Sequence, residues 1–222
     1  IGYWFKNWFL PYKIGYAITT TGSRTYFKKF KYHGKEKIPK HAGIIYAVNH
    51  QNAFLDAIVI AGQTDAPLNF LARADIFKNK IANKLLRGFY MLPVYRQRDG
   101  VNTIEKNEET FNQCHEILKQ KQNLAIFPEG NHNYKKTLRQ LKKGLARIAF
   151  GTLSKYGKDT PVYIVPLAID YESHFKMNAD ILLNVGDPIK VSDYYSGFEK
   201  NSTEAINKLT LKIADDLKSL MI

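Results

Sequence analysis

Ile44-Ile45-Tyr46-Ala47-Val48 leads into Asn49-His50-Gln51-Asn52-Ala53-Phe54-Leu55-Asp56, and Ala57-Ile58-Val59-Ile60-Ala61 follows. The first five residues are apolar and, Ala47 apart, β-branched or aromatic, and they read as a buried strand. Leu55–Ala61 reads as a buried helix. A strand that hands over to a helix through a polar turn is the start of a βα unit, and this one carries a histidine and a carboxylate at its turn.

The same alternation continues along the chain. Asn69–Ala72, Leu92–Tyr95, Leu124–Phe127, Val162–Ile169 and Ile181–Val185 read as strands. Lys78–Phe89, Ile104–Lys119, Leu138–Phe150 and Thr203–Leu220 read as helices, with Phe111, Ile117 and Leu118 inward on one and Leu138, Leu141, Leu145 and Ile148 on one face of another. Strands alternating with helices predict an α/β domain with a central, mostly parallel sheet flanked by helices. Proline within Val165-Pro166-Leu167 predicts that this strand lies at an edge or is bulged. At 222 residues the chain suits one large domain or one domain with an appended element.

The charge is strongly basic, with 33 Lys/Arg against 20 Asp/Glu, a net +13. Such an excess implies an anionic partner: a membrane surface, a phosphorylated substrate or a nucleic acid. Residues 1–40 hold nine Lys/Arg and one acid, Glu36, together with both tryptophans. Trp4/Trp8 and Phe5/Phe9 are i,i+4 pairs, Tyr12 and Tyr16 extend the strip, and Lys6, Lys13, Lys28 and Lys29 supply charge. This is the pattern of a helix lying in the membrane interface, and no stretch here is apolar enough to span a bilayer. The competing reading is a terminal helix packed on its own domain. Gly34–Pro39 reads as the turn after it, so residues 1–30 are expected to form the amphipathic membrane element and 31–222 the main domain. The aromatics concentrate in this terminal segment rather than alternating with Lys/Arg along a sheet, which argues against nucleic acid. The single Cys114 excludes an intramolecular disulfide. The six histidines form no His-x-x-x-His pair, so no metal site is expected.

His50 and Asp56 are six positions apart and would not meet on one continuous helix. They can meet if 50–53 form a turn and the helix starts near Phe54. A carboxylate on one imidazole nitrogen then fixes the tautomer and makes the other a better base. The alternative is a histidine closing the strand and an aspartate favoured at a helix N-terminus. Phe127-Pro128-Glu129-Gly130 is a second strand end, where proline stops the strand and glycine allows a tight turn. Glu129 would then be presented among free backbone N–H groups. Lys135, Lys136, Arg139, Lys142, Lys143 and Arg147 follow, with Arg139 and Lys143 on one helix face. A loop opening into a basic helix suits a phosphate, although such a run is also what a solvated helix face looks like. Arg96 and Arg98 end a third strand as candidate anion clamps.

At these residues the chain resembles the PlsC-like glycerolipid acyltransferase family. Asn49 to Asp56 looks like its catalytic His/Asp block, Gly88 to Arg96 its second block, Phe127 to Gly130 its acceptor-binding block, and Val165-Pro166-Leu167-Ala168-Ile169 its fourth. The resemblance spans about residues 30–190. It implies an O-acyltransferase in which His50 deprotonates a lyso-lipid hydroxyl, Asp56 holds His50, and the alkoxide attacks an acyl thioester with no acyl-enzyme. Asn49, Arg96, Glu129, Gly130, Asn131, His132 and Arg139 would bind substrate. The donor is acyl-CoA or acyl carrier protein as co-substrate, and no cofactor or metal is implied. Members sit on the cytoplasmic membrane face, so a peripheral location on the inner membrane is expected. No Gly-x-Ser-x-Gly nucleophile pattern occurs.

Two departures stand out. Five residues separate His50 from Asp56 where the family has four. After Gly130 phosphate-handling members continue Thr-Arg-Ser, whereas this chain has Asn131-His132-Asn133. The expected acceptor is 1-acyl-glycerol-3-phosphate, giving phosphatidic acid. A non-phosphate lyso-lipid, such as an N-acyl amino acid O-acylated to an aminolipid, is the alternative. A non-catalytic protein binding anionic membranes or nucleic acid is the second alternative.

Overall fold

The computed structural model describes residues 10–64, 66–96, 103–132 and 134–222. The strip of Trp4, Phe5, Lys6, Trp8 and Phe9 lies outside the described residues, as do Arg98 and Asn133. The elements run α1 (Leu10–Tyr26), β1 (Lys29–His33), β2 (Gly43–Val48), α2 (Ala53–Ala61), β3 (Leu68–Arg73), α3 (Lys80–Gly88), β4 (Met91–Val94), α4 (Thr103–Lys119) and β5 (Asn123–Ile126). Then come α5 (Gly144–Tyr156), β6 (Val162–Tyr171), β7 (Asp180–Val185), β8 (Ile189–Lys190), α6 (Tyr195–Lys200) and α7 (Ser202–Leu220).

The strands form one sheet in the order β1-β7-β6-β2-β5-β3-β4, with β8 beside β6. Pairing is parallel except for β6 with β7 and with β8. Helices cover both faces, so central strands are apolar throughout: all six residues of β2 are buried. Ile44, Tyr46 and Val48 point to the face under α1–α3, and Ile45 and Ala47 to the face under α4–α7. α7 shows the helical counterpart, with Ala205, Leu209, Ile213 and Leu217 buried at every fourth position. Its start is set by Asn201, whose side chain accepts from Glu204 N–H.

Cys114 faces this second core from α4 with no exposed surface, and burial pushes its thiol up to about 12. Only the thiolate reacts with disulfide reagents. The native protein is therefore expected to stay unlabelled by such a reagent at pH 8. One thiol should appear on unfolding in guanidinium, and fast labelling of the native state would contradict this packing.

Four sequence expectations are corrected. The expected end of the membrane segment at residue 30 falls inside β1, which pairs in parallel with β7 and so belongs to the main sheet. β1 is an edge strand whose exposed Lys29 and Lys31 alternate with half-buried Phe30 and Tyr32. Tyr12 does not extend an outward strip. It is buried, its hydroxyl accepts from Leu68 N–H at 3.0 Å, and its ring meets Tyr90 edge-on at 4.9 Å. β6 is not an edge strand, because β2 flanks it on one side and β7 and β8 on the other. Pro166 sits level with the seam between β7 and β8. Its carbonyl accepts from Gly186 N–H, so its missing N–H faces that seam and costs no ladder bond. Finally, 138–143 is not helical: α5 begins at Gly144, and the preceding residues form a loop.

Candidate active site

β2 and β5 are neighbours whose outgoing connections leave on opposite faces, through α2 and α5. A crevice opens at such a point, beyond the carboxyl ends of the strands. His50 follows β2 there, and Phe127–Gly130 follows β5. The end of β6, on the far side of β2, brings Tyr171 to the same place.

Asp56 organises the crevice. Fully buried in the first turn of α2, it accepts four hydrogen bonds. Oδ2 takes Gln51 N–H at 2.9 Å, Asn52 N–H at 2.8 Å and His50 Nδ1 at 2.8 Å, and Oδ1 takes the Tyr171 hydroxyl at 2.7 Å. Two of these donors are backbone groups just ahead of the helix, where unpaired N–H groups and the helix dipole favour a carboxylate. The turn at 50–52 is the one the spacing required. At its junction with α2, Ala53 takes φ 38°. Such a φ is strained for a side chain with a Cβ and is held by the surrounding bonds.

A carboxylate only accepts, so His50 donates from Nδ1 and keeps its lone pair on Nε2. The ring stacks on Phe127 at 4.2 Å and 21°, and the side chain is 16% exposed. His50 is thus aimed and shielded yet reachable at one nitrogen. Burial first, and then the charge of Asp56, raise the Tyr171 hydroxyl, which stays protonated as a donor.

Glu129 is buried and turned inward, not presented to a ligand. Oε1 accepts from His50 N–H at 2.8 Å and Oε2 from Arg139 N–H at 3.0 Å. It therefore joins the two strand ends to the basic loop. Gly130 closes the turn with φ 75°, and Lys142 N–H bonds Pro128 O at 2.7 Å, so 138–142 lies as a strap over the turn with Leu141 buried beneath. Arg139 projects from this strap with an exposed side chain, as do Lys142 and Lys143, rather than from one helix face.

Burial raises the Glu129 carboxyl more than its two backbone bonds lower it. Its neutral form is favoured by folding, so this group's contribution is greatest below the ordinary Glu value of about 4.3 and is lost as pH rises through the raised one. Wild type should accordingly lose thermal stability relative to Glu129→Gln as melts are moved upward from about pH 4. A relative gain with rising pH would refute the direction.

Asn49 is also a tie. Its buried amide donates to Ile169 O at 3.0 Å and accepts from Ile169 N–H at 2.7 Å, locking the end of β2 to β6. That occupies the groups expected to bind substrate. Asn131 and His132 are exposed beyond Gly130, and the His132 ring stands edge-on to His50 at 5.8 Å. Arg96 stands off the β2–β5 junction in the sheet order. It follows the edge strand β4, with β3 between that strand and β5, and its charge helps hold the Asp75 carboxyl down, after the larger effect of Arg73. A cleft of about 430 Å3 opens near this end of the sheet, with Lys78, Arg87 and Lys106 in its wall.

Tyr171, Gln51 and His174 carry no local signal strong enough to mark them as site residues in the sequence. His174 Nε2 meets Gln51 Oε1 at 3.0 Å, and its carbonyl accepts from Asn52 Nδ2 at 2.9 Å. A tyrosine closing an apolar strand is the one available signal, and its meaning depends on β6 lying beside β2. Among the described residues, no group of three or more His, Cys, Asp or Glu could hold a metal, and no helix is long and apolar enough to cross a membrane.

The Acyltransferase family model matches residues 29–170, which takes in His50, Asp56 and the Phe127–Gly130 turn and stops one residue short of Tyr171. The chain is 24% identical over 198 residues to "1-acyl-sn-glycerol-3-phosphate acyltransferase" of Bacillus subtilis (strain 168), covering 86% of this chain and 90% of that protein. It is 32% identical over 115 residues to "Glycerol-3-phosphate O-acyltransferase 2" of Saccharomyces cerevisiae, 51% of this chain but only 15% of that much longer protein. The crystal structure of the 1-acyl-sn-glycerophosphate (LPA) acyltransferase PlsC from Thermotoga maritima superimposes with a TM-score of 0.60 at 20% identity, covering 93% of this chain and 79% of that one, and it supports the fold. With the His/Asp block, the Phe-Pro-Glu-Gly turn and this match over well over half its length, the chain belongs to the Acyltransferase family as a PlsC-like member.

Proposed function

We propose that the protein is a lyso-lipid O-acyltransferase with His50 as general base. The observation that carries the reading is the His50–Asp56 pair in the crevice: Nδ1 is held by a buried carboxylate, which leaves Nε2 as the base. The acceptor hydroxyl gives its proton to Nε2 as its oxygen bonds to the thioester carbonyl carbon. The C–S bond then breaks, and the leaving thiolate takes the proton back from the imidazolium. Both reactants are held together, so the transfer is direct and needs no acyl-enzyme. Cys114, the sole cysteine, lies on the opposite face of the sheet from α2 and cannot serve as nucleophile. Asp56 holds the tautomer and offsets the charge that forms on the ring.

The acceptor is 1-acyl-glycerol-3-phosphate and the donor is acyl-CoA or acyl carrier protein. The exposed cations of the strap, Arg139, Lys142 and Lys143, suit a phosphate headgroup, with His132 in place of the arginine expected after Gly130. The enzyme works as a peripheral protein on the cytoplasmic face of the membrane. Ile14 and Ile18 are exposed one turn apart on α1, which supports an interfacial helix even though Tyr12 packs inward.

The test is thiol release from palmitoyl-CoA by the purified protein, with and without lysophosphatidic acid. Release that depends on the acceptor supports the reading. Release seen only with an N-acyl amino acid acceptor would move the acceptor class to aminolipids. Absence of release with every lyso-lipid and both donors would overturn it.

A further inference from the structure

The turn joining β6 to β7 has a composition unlike an ordinary water-facing turn. Turns favour Gly, Pro, Asn, Asp and Ser. Here the tip is His174-Phe175-Lys176-Met177, with Phe175 73% and Met177 62% exposed. The loop is well anchored at its base. Glu172 N–H bonds Asp180 O at 3.0 Å, Asn178 N–H bonds Tyr26 O at 2.8 Å, and Asn52 Nδ2 bonds His174 O at 2.9 Å. The two apolar side chains are held outward by a fixed frame, and that frame is tied both to the end of α1 and to the start of α2 beside His50.

From the tip a row of rings leads inward. Phe175 meets Tyr134 at 4.9 Å, Tyr134 meets His132 at 5.4 Å, and His132 meets His50 at 5.8 Å. The surroundings are basic. Lys176 on the tip and Lys135 and Lys136 beside Tyr134 are exposed, no acidic residue occurs between Gly130 and Lys158, and Glu172 at the loop's base is turned to Asp180 N–H. Apolar and aromatic tips ringed by lysine fit a negatively charged lipid surface, in which the rings settle among the headgroups and the cations meet the phosphates. The tie from Asn178 to Tyr26 at the end of α1, a helix that exposes Ile14 and Ile18, argues for a lipid surface over a protein partner.

We propose that the β6–β7 tip inserts Phe175 and Met177 into an anionic bilayer and that the lyso-lipid reaches His50 from the bilayer along the Tyr134–His132 row. The proposal rests on the acyltransferase reading for its substrate, but the docking itself does not. The full chain is compared with the double variant Phe175→Ser/Met177→Ser. Both side chains are exposed, so the variant keeps its fold.

Flotation with vesicles of phosphatidylcholine and phosphatidylglycerol at ~150 mM salt reads binding. Binding of the variant is expected to weaken by about tenfold or more, since two large apolar side chains no longer leave water. Acyl transfer to lysophosphatidic acid embedded in those vesicles should fall with it, while transfer to a short-chain, monomeric lysophosphatidic acid stays unchanged. Unaltered vesicle binding would overturn the proposal. So would a loss confined to acyl carrier protein as donor, which would make the tip a carrier-docking site. If neither acceptor is acylated even by the wild type, the acyltransferase reading fails while flotation still decides whether the tip docks.

Discussion

Replacing His50 with alanine is expected to lower acceptor-dependent thiol release by roughly 10²- to 10⁴-fold, the range in which a positioned general base contributes. A lipid hydroxyl is a weak nucleophile at neutral pH, and the substitution removes the group that would take its proton. The fold should survive. The backbone N–H of residue 50 still reaches Glu129, and the lost ring is itself partly exposed and belongs to neither buried core, although Phe127 beneath it loses a stacking partner. A melting temperature close to wild type together with the lost rate would isolate chemistry from stability. A variant that retained the full rate would leave acyl transfer standing but without an imidazole base.

Asp56 is expected to give the largest combined effect, because one carboxylate serves both folding and chemistry. In Asp56→Ala the His50 Nδ1–H, the Gln51 and Asn52 N–H groups and the Tyr171 hydroxyl all lose their acceptor, a carboxylate with no exposed surface. Breaking one side of a buried charged network costs about 3–5 kcal/mol, a large part of a domain's stability. Asp56→Asn separates the two roles. One amide oxygen can still accept at the position of Oδ2, and the Tyr171 hydroxyl can rotate to accept from the amide nitrogen. That variant should fold. It loses the charge that steadies the imidazolium, so its rate should drop about 10²-fold or more. Urea unfolding and the thiol assay on both variants check this. If Asp56→Asn were as active as wild type, the carboxylate would be structural only.

His50 and Asp56 are legible in the sequence because their chemistry is local. A polar turn between a buried strand and a buried helix leaves few ways to place a histidine and an aspartate six positions apart, and the helix N-terminus favours the carboxylate. The Phe-Pro-Glu-Gly turn is legible for the same reason. The direction in which Glu129 points is not. A glutamate in a turn looks solvent-facing until a neighbouring strand supplies His50 N–H and the loop that follows folds back to supply Arg139 N–H. Arg96 behaves similarly: a strand-end arginine is recognisable, but its place on an edge strand with β3 between it and β5 depends on the strand order.

The expected helix over 138–150 shows where pattern fails. Leu138, Leu141, Leu145 and Ile148 are spaced as a helix face, yet only the last two lie on α5. Leu141 is buried as the anchor of an extended strap, because Arg139 and Lys142 N–H groups bond Glu129 and Pro128 instead of closing helical turns. Spacing records that a residue is buried, and either geometry can bury it. β1 and Tyr12 carry the same lesson at the other end of the chain, where an alternation of lysine with aromatics forms an edge strand and a tyrosine of the expected interfacial strip serves as acceptor for Leu68 N–H.

By itself the sequence determined the α/β alternation, the mostly parallel sheet, the basic character and the His50–Asp56 turn, since these follow from short-range periodicity and from what a helix end will bind. The tertiary structure alone decided that β2, β5 and β6 end together, that Tyr171 completes the buried network and that Glu129 and Asn49 are ties. It also decided that a row of rings through Tyr134 and His132 links the Phe175 tip to His50. Those outcomes depend on hydrogen bonds between residues 79 to 123 positions apart, and no local pattern encodes them.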